Sequence, residues 1–150
     1  MVQIRVAVEE DKDFIAGFQM KMARETEGLE LQQEVLNEGV VRVLRDPEKG
    51  KYFVADDNGK VVASLLVTYE WSDWRNKWVL WIQSVYVLPE YRQKGVFRAL
   101  YEHIKAWALR DAQVAGIRLY VDKTNLKAIS VYRRLGMDGE HYRLFEWMKD

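Results

Sequence analysis

The stretch Val85-Tyr86-Val87-Leu88-Pro89-Glu90-Tyr91-Arg92-Gln93-Lys94-Gly95-Val96-Phe97-Arg98-Ala99-Leu100 decides the architecture. Its opening residues are apolar and β-branched and close a strand predicted over 78–87. Pro89 stops that strand. A helix is predicted after Gly95, because Val96, Phe97, Leu100, Ile104, Trp107 and Ala108 recur at helical spacing. Residues 116–121 follow as a further apolar run. Strand, crossover helix and strand make a βαβ unit, which is expected to be parallel and right-handed.

The junction itself suits an anion. First-turn N–H groups have no intrahelical partner, and the helix dipole adds partial positive charge. Arg92, Lys94 and Arg98 surround Gly95, where the backbone can approach a phosphate closely. Two readings stay open on these residues alone: a diphosphate cradle, or solvated charges around a turn glycine. The pattern is neither a Walker A loop nor a three-glycine dinucleotide fingerprint.

Upstream, Val2, Ile4, Val6 and Val8 alternate on one face of a predicted strand. Phe14, Ile15, Phe18 and Met22 then recur at helical spacing, and that helix is expected to end near Glu27-Gly28. A second helix is expected from 35 to 45, ended by Asp46-Pro47. Strands are predicted over 51–55 and 60–71, joined by the hairpin turn Asp57-Asn58-Gly59. Downstream, a helix is predicted over 125–135 with Gly136 beyond its end. Residues 140–148 alternate as a final strand. The order β-α-α-β-β-β-α-β-α-β is an α+β, or mixed α/β, fold.

Composition bounds the function. A chain of 150 residues reads as one domain, 1–150. With no cysteine, disulfides, thiolate metal sites and cysteine nucleophiles are excluded, and no metal is expected. Basic and acidic side chains balance at 23 each, which argues against a partner such as nucleic acid that needs a basic surface. No apolar run is long enough for a membrane helix, and the first residues resemble no targeting peptide. No membrane partner and a cytoplasmic location are the expectations.

Two stretches carry a family resemblance. Val85 to Leu100 resembles the acetyl-CoA signature of the GNAT superfamily of N-acyltransferases, R/Q-x-x-G-x-G/A entering a helix. Asn125-Leu126-Lys127-Ala128-Ile129-Ser130-Val131-Tyr132-Arg133-Arg134-Leu135-Gly136-Met137 resembles its second motif, N-x-x-A-x-x-x-Y-x-x-x-G-F. The element order matches as well, so the resemblance covers nearly the whole chain.

The resemblance implies a GNAT-like fold whose central mixed sheet is splayed at the parallel crossover, with acetyl-CoA as cofactor. The pantetheine arm would pair with the backbone of Val85-Tyr86-Val87. The diphosphate would lie on Arg92, Gln93, Lys94, Gly95, Val96, Phe97 and Arg98. The Val85 N–H would hold the oxyanion, a contribution of about 2.7–4 kcal/mol. Asn125 and Ala128 would flank the arm, and Tyr132 would protonate the departing thiolate. Asn125 also reads as a plain helix cap, and Tyr132 as a buried structural tyrosine. Phe97 departs from the family's glycine or alanine and is expected to turn into the core with Leu100.

The acceptor side is less defined. Relatives often place a glutamate where this chain has Gln83, which can orient a water but cannot take a proton. Glu25, Glu27, Glu30 and Glu70 are the nearest carboxylates in sequence, and His103 and His141 are poorly placed. Trp71, Trp74, Trp78 and Trp81 crowd a short stretch. With the closing aromatic run 142–147 they are similar to the diamine and polyamine branch. Glu27, Glu70, Trp71, Trp74, Trp81 and Gln83 are therefore the expected wall for a small-molecule amine. A dimer interface or packing against the final strand is the other use of the tryptophans, and a homodimer is expected. The reading is an acetyl-CoA-dependent N-acetyltransferase acting in a ternary complex. An acyl-CoA-binding sensor or interaction module without turnover stays open, as does a peptide or protein N-acetyltransferase.

Overall fold

The computed structural model describes residues 1–149. They form two compact units, Met1–Arg118 and a segment that starts at Leu119. The first unit holds β1 (Gln3–Val6), α1 (Lys12–Glu27), α2 (Gln33–Arg45), β2 (Lys51–Asp57), β3 (Lys60–Ser72), β4 (Lys77–Val87), α3 (Val96–Arg110) and β5 (Val114–Arg118). The strands make one sheet in the order β1-β2-β3-β4-β5. Neighbours are antiparallel except β4 and β5, which are parallel. The expected mixed sheet with its one parallel crossover is thus formed.

Side chains alternate between the two faces of the sheet. On one face Phe53 and Tyr69 meet Trp107 of α3, with ring centroids 5.9 and 6.4 Å apart. On the other, Phe18 of α1 stacks on Tyr86 of β4 at 5.4 Å. Leu65, Leu80, Ile82, Leu100 and Ile104 are among the fully buried side chains. Each contributes about 1.5–3 kcal/mol relative to exposure.

Several bounds differ from expectation. β1 stops at Val6, and both Val6 and Val8 are exposed, because β1 is an edge strand that pairs, among the described residues, with β2 alone. Along α2 only Val40 is buried, and Val35 is exposed. β5 begins at Val114, earlier than the expected 116. The Asp111 carbonyl accepts from the Val114 N–H at 3.0 Å, and its carboxylate from the Gln113 N–H at 2.9 Å, so the turn is tight.

In the second unit, α4 spans Leu126–Arg134. Asn125 caps it, its Oδ1 accepting from the Ala128 N–H at 3.2 Å. The Met137 N–H closes the far end on the Tyr132 carbonyl at 3.1 Å. The final strand expected over 140–148 is not formed, and residues 142–149 take no regular structure. Tyr142, Leu144, Phe145, Trp147 and Met148 are exposed. Alternation assigns faces to a strand, but only a paired neighbour makes the strand stable.

No helix of the described residues is long and apolar enough to cross a membrane.

Candidate active site

β5 pairs with β4 only over Trp78–Trp81. Beyond that point, among the described residues, β4 is laddered only by β3. This is the splay that the family resemblance implied. Within the one-sided stretch Leu66 faces Gln83 while Ser64 faces Tyr86, so Ser84 and Val85 together oppose Leu65. Ser84 absorbs the extra residue with a left-handed φ of 57°. Gln19 of α1 fixes this bulge, its Nε2 donating to the Ser84 carbonyl at 3.0 Å.

The ladder also dictates where β4 points its peptide groups. The Leu88 N–H donates to the Val62 carbonyl at 2.9 Å. Antiparallel pairs alternate, so Tyr86 turns its backbone to β3 while Val85 and Val87 turn theirs to the open edge. On that alternation the peptide groups of Val85 and Val87 lie on the side of β4 away from β3.

β4 leads through a single turn, Pro89–Tyr91, to the start of α3. Gln93 has φ 61° and Gly95 φ 80°. A Cβ on Gly95 would meet nothing within 4 Å, so the surface above it is open. The N–H groups of Val96, Phe97 and Arg98 precede the first helical bond, which Ala99 makes to the Gly95 carbonyl at 3.0 Å. No acidic side chain competes in this first turn. Val96 is buried with Leu100, whereas Phe97 is only half-buried, its ring 6.4 Å from that of Tyr101. Phe97 thus lies on the flank of α3 beside Tyr101 and does not enter the core with Leu100. Gln93, Lys94 and Arg98 are exposed, with the Lys94 ammonium 5.9 Å above the Tyr91 ring.

Arg92 points elsewhere. Its Nε donates to the Val87 carbonyl at 2.8 Å, and a terminal nitrogen donates to Glu25 at 2.9 Å. The guanidinium lies 5.3 Å over the Tyr86 ring. The Tyr86 hydroxyl donates to the other oxygen of Glu25 at 2.8 Å. Arg92 and then Tyr86 hold the Glu25 carboxyl below its ordinary range. Burial, reinforced by Glu25, pushes the Tyr86 phenol up to about 12.

On the sheet face toward α1, Thr68, Glu70, Trp81, Gln83 and Arg118 lie together. Thr68 Oγ1 donates to Gln83 Oε1 at 3.1 Å. Trp81 Nε1 and Arg118 donate to the same oxygen of Glu70 at 2.9 and 2.7 Å. The indole bond and the guanidinium hold Glu70 below the usual carboxylate range, against the opposing effect of desolvation. Trp71 and Trp78 occupy the opposite face, edge to face at 5.0 Å, and Trp74 is 89% exposed in the turn. The expected tryptophan wall is therefore divided between two faces by strand alternation. Glu27 is exposed at the end of α1, and Glu30 is paired with Arg24 at 2.6 Å.

In the second unit Tyr132 is half-buried on α4, and burial raises its phenol above the ordinary value. His141 packs edge-on to Tyr142 at 5.1 Å.

Sequence reading missed the anchoring role of Gln19 and the partners Thr68 and Arg118. Gln19 left one trace, a polar residue four places after Ile15 on the apolar stripe of α1. Thr68 and Arg118 left none, because their meaning depends on strand register.

A family model described as the acetyltransferase (GNAT) family matches residues 6–137. No curated protein matches the chain. Among solved structures, a possible acetyltransferase from Clostridium difficile 630 is 47% identical, with a TM-score of 0.92, covering 100% of this chain and 99% of its own. A transcriptional regulator from Bacillus halodurans C-125 shares 20% identity at a TM-score of 0.84, covering 99% of this chain and 100% of its own. AAC(6')-Iy, in complex with the bisubstrate analog CoA-S-monomethyl-acetylneamine, shares 15% identity at a TM-score of 0.80, over 100% of this chain and 99% of its own. The last two likenesses establish the fold alone. The one-sided stretch of β4, the open turn into α3 and the family match over 6–137 agree, and the chain belongs to the GNAT acetyltransferase family.

Proposed function

We propose that this chain, acting as one domain over 1–150, moves an acetyl group from acetyl-CoA to a primary amine of a small molecule. The observation that carries the reading is the bulged, one-sided end of β4. It aims the backbone of Val85 and Val87 at the splay and leads straight into an open helix N-terminus. These features fit a thioester cofactor: an extended polyamide arm needs strand-like backbone partners, and a diphosphate needs unpaired N–H groups. Gln93, Lys94, Gly95, Val96, Phe97 and Arg98 supply that turn.

The amine attacks the thioester carbon in a ternary complex. A C–N bond forms, the C–S bond breaks, and the amine's surplus proton leaves through water to solvent. The Val85 N–H steadies the oxyanion. Tyr132 gives its proton to the thiolate and regains one from solvent, which closes the proton balance. Asn125 and Ala128 flank the arm. Gln83, with its amide oxygen engaged by Thr68, orients the amine or its water, and Trp81 and Glu70 line the same face. The proposal extends to a cytoplasmic homodimer, in which exposed Trp71, Trp74 and Trp78 offer apolar surface to a second copy.

The test is thiol release from acetyl-CoA against panels of diamines, amino acids, aminoglycosides and peptides. Turnover with at least one small amine is expected. CoA binding without turnover on any panel would leave a binding module instead.

A further inference from the structure

The Arg92 guanidinium is committed on three sides before any cofactor arrives. Its Nε holds the Val87 carbonyl at 2.8 Å, a terminal nitrogen holds Glu25 at 2.9 Å, and its plane covers the Tyr86 ring. Glu25 sits on α1, and its second oxygen takes the Tyr86 hydroxyl at 2.8 Å. One carboxylate therefore ties three parts of the first unit together: α1, the strand end of β4 and the turn that enters α3.

We propose that Arg92 and Glu25 are positioning residues that lock the cofactor turn to α1 and β4, and that Arg92 is not a phosphate ligand. The Val87 carbonyl is one of the groups turned to the open edge, and Arg92 occupies it. An arm entering the splay is left with Val85 and the Val87 N–H. The planar guanidinium makes this arrangement possible, because its nitrogens serve the carbonyl and the carboxylate in one plane while its face stacks on an aromatic ring. Lysine, a point charge, cannot reproduce it. The lock also links the α1 side, where Gln19 holds the bulge, to the turn that would carry the diphosphate.

This inference rests on the acetyl-CoA reading above, and the two are separable. CoA affinity is measured by calorimetry for wild type, Glu25→Gln, Tyr86→Phe and Arg92→Lys. Glu25→Gln keeps the size of the side chain and removes the charge that holds Arg92. If Arg92 positions the turn, Glu25→Gln weakens CoA binding about threefold to fivefold, in line with a partly exposed ion pair. Tyr86→Phe gives a smaller loss in the same direction, and Arg92→Lys does not recover wild-type affinity. If Arg92 instead swings onto the diphosphate, Glu25 competes with the ligand, and Glu25→Gln binds CoA more tightly. Tighter or unchanged binding by Glu25→Gln overturns the inference while leaving the cofactor reading intact. Wild type that fails to bind CoA overturns both.

Discussion

Gln19 reaches from α1 to the carbonyl of Ser84, 65 residues further along the chain, with a hydrogen bond of 3.0 Å. The amide is buried, and the residue it holds is the left-handed one in the β4 bulge. Replacing Gln19 with Leu keeps most of the volume and removes the donor. The stranded carbonyl costs about 1–3 kcal/mol. Urea unfolding of Gln19→Leu is expected to report a loss in that range. The same variant should lower kcat by more than it raises KM for acetyl-CoA, because the bulge orients Val85. An unchanged kcat would detach the bulge from the chemistry.

Tyr132→Phe removes a single hydroxyl and leaves the ring. Folding and CoA affinity should survive it. General acids contribute about 10²–10⁴-fold, and kcat is expected to fall within that range while KM for acetyl-CoA stays near wild type. A drop of less than threefold in a single-turnover measurement would remove Tyr132 from the proton transfer.

Asp11 gives a prediction about acid stability. Burial alone would raise its carboxyl, but hydrogen bonds from Arg5 and from the Val8 N–H outweigh burial and hold it below the ordinary value. A carboxyl depressed in the folded state adds stability that is fully present above its unfolded pKa. That stability is lost as pH falls through the lower, folded value. Arg5 binds Asp11 through two nitrogens at 2.8 and 3.0 Å and keeps Asp56 as a further partner at 3.1 Å. Arg5 is partly exposed and retains Asp56, so Asp11→Ala is expected to cost about 1.5–3 kcal/mol at pH 7, the range for hydrogen bonds to a charged group. The gap between wild type and variant should narrow toward pH 3, as followed by urea unfolding. A gap that is the same at both pH values would show that the ion pair contributes nothing.

Ser64 runs the other way. It is fully buried on β3, and its hydroxyl has no hydrogen-bond partner among the described residues. An unsatisfied buried hydroxyl costs about 1–3 kcal/mol, so Ser64→Ala should be neutral or stabilising. A thermal melt that falls by several degrees would mean that the hydroxyl is paired in solution.

The fold was legible where periodicity was strong and pairing local. The Asp57-Asn58-Gly59 turn, the long β3 and β4 and the entry into α3 could be read from residue order. The run 140–148 could not, since alternation without a paired neighbour leaves 142–149 irregular. For the site, Val85 and Val87 were legible as strand residues, while their role as backbone donors came from the family resemblance and remains a proposal. The contacts of Arg92 were not legible, because its partner Glu25 lies on another element. The tryptophans were misgrouped for a related reason. Closeness in sequence placed Trp71 and Trp81 together, but the hairpin register sets them on opposite faces of the sheet.

The one-sided end of β4 has a consequence for life without ligand. From Ile82 to Val87 the strand runs about 20 Å at the usual rise per residue. A strand edge of that length, laddered on one side, is a template on which a foreign strand could add. The bulge at Ser84 interrupts its flatness, and Arg92 withdraws one carbonyl from it. Both features blunt the edge against aggregation, so the residues that shape this gap for a ligand also keep the empty chain from adhering to its neighbours.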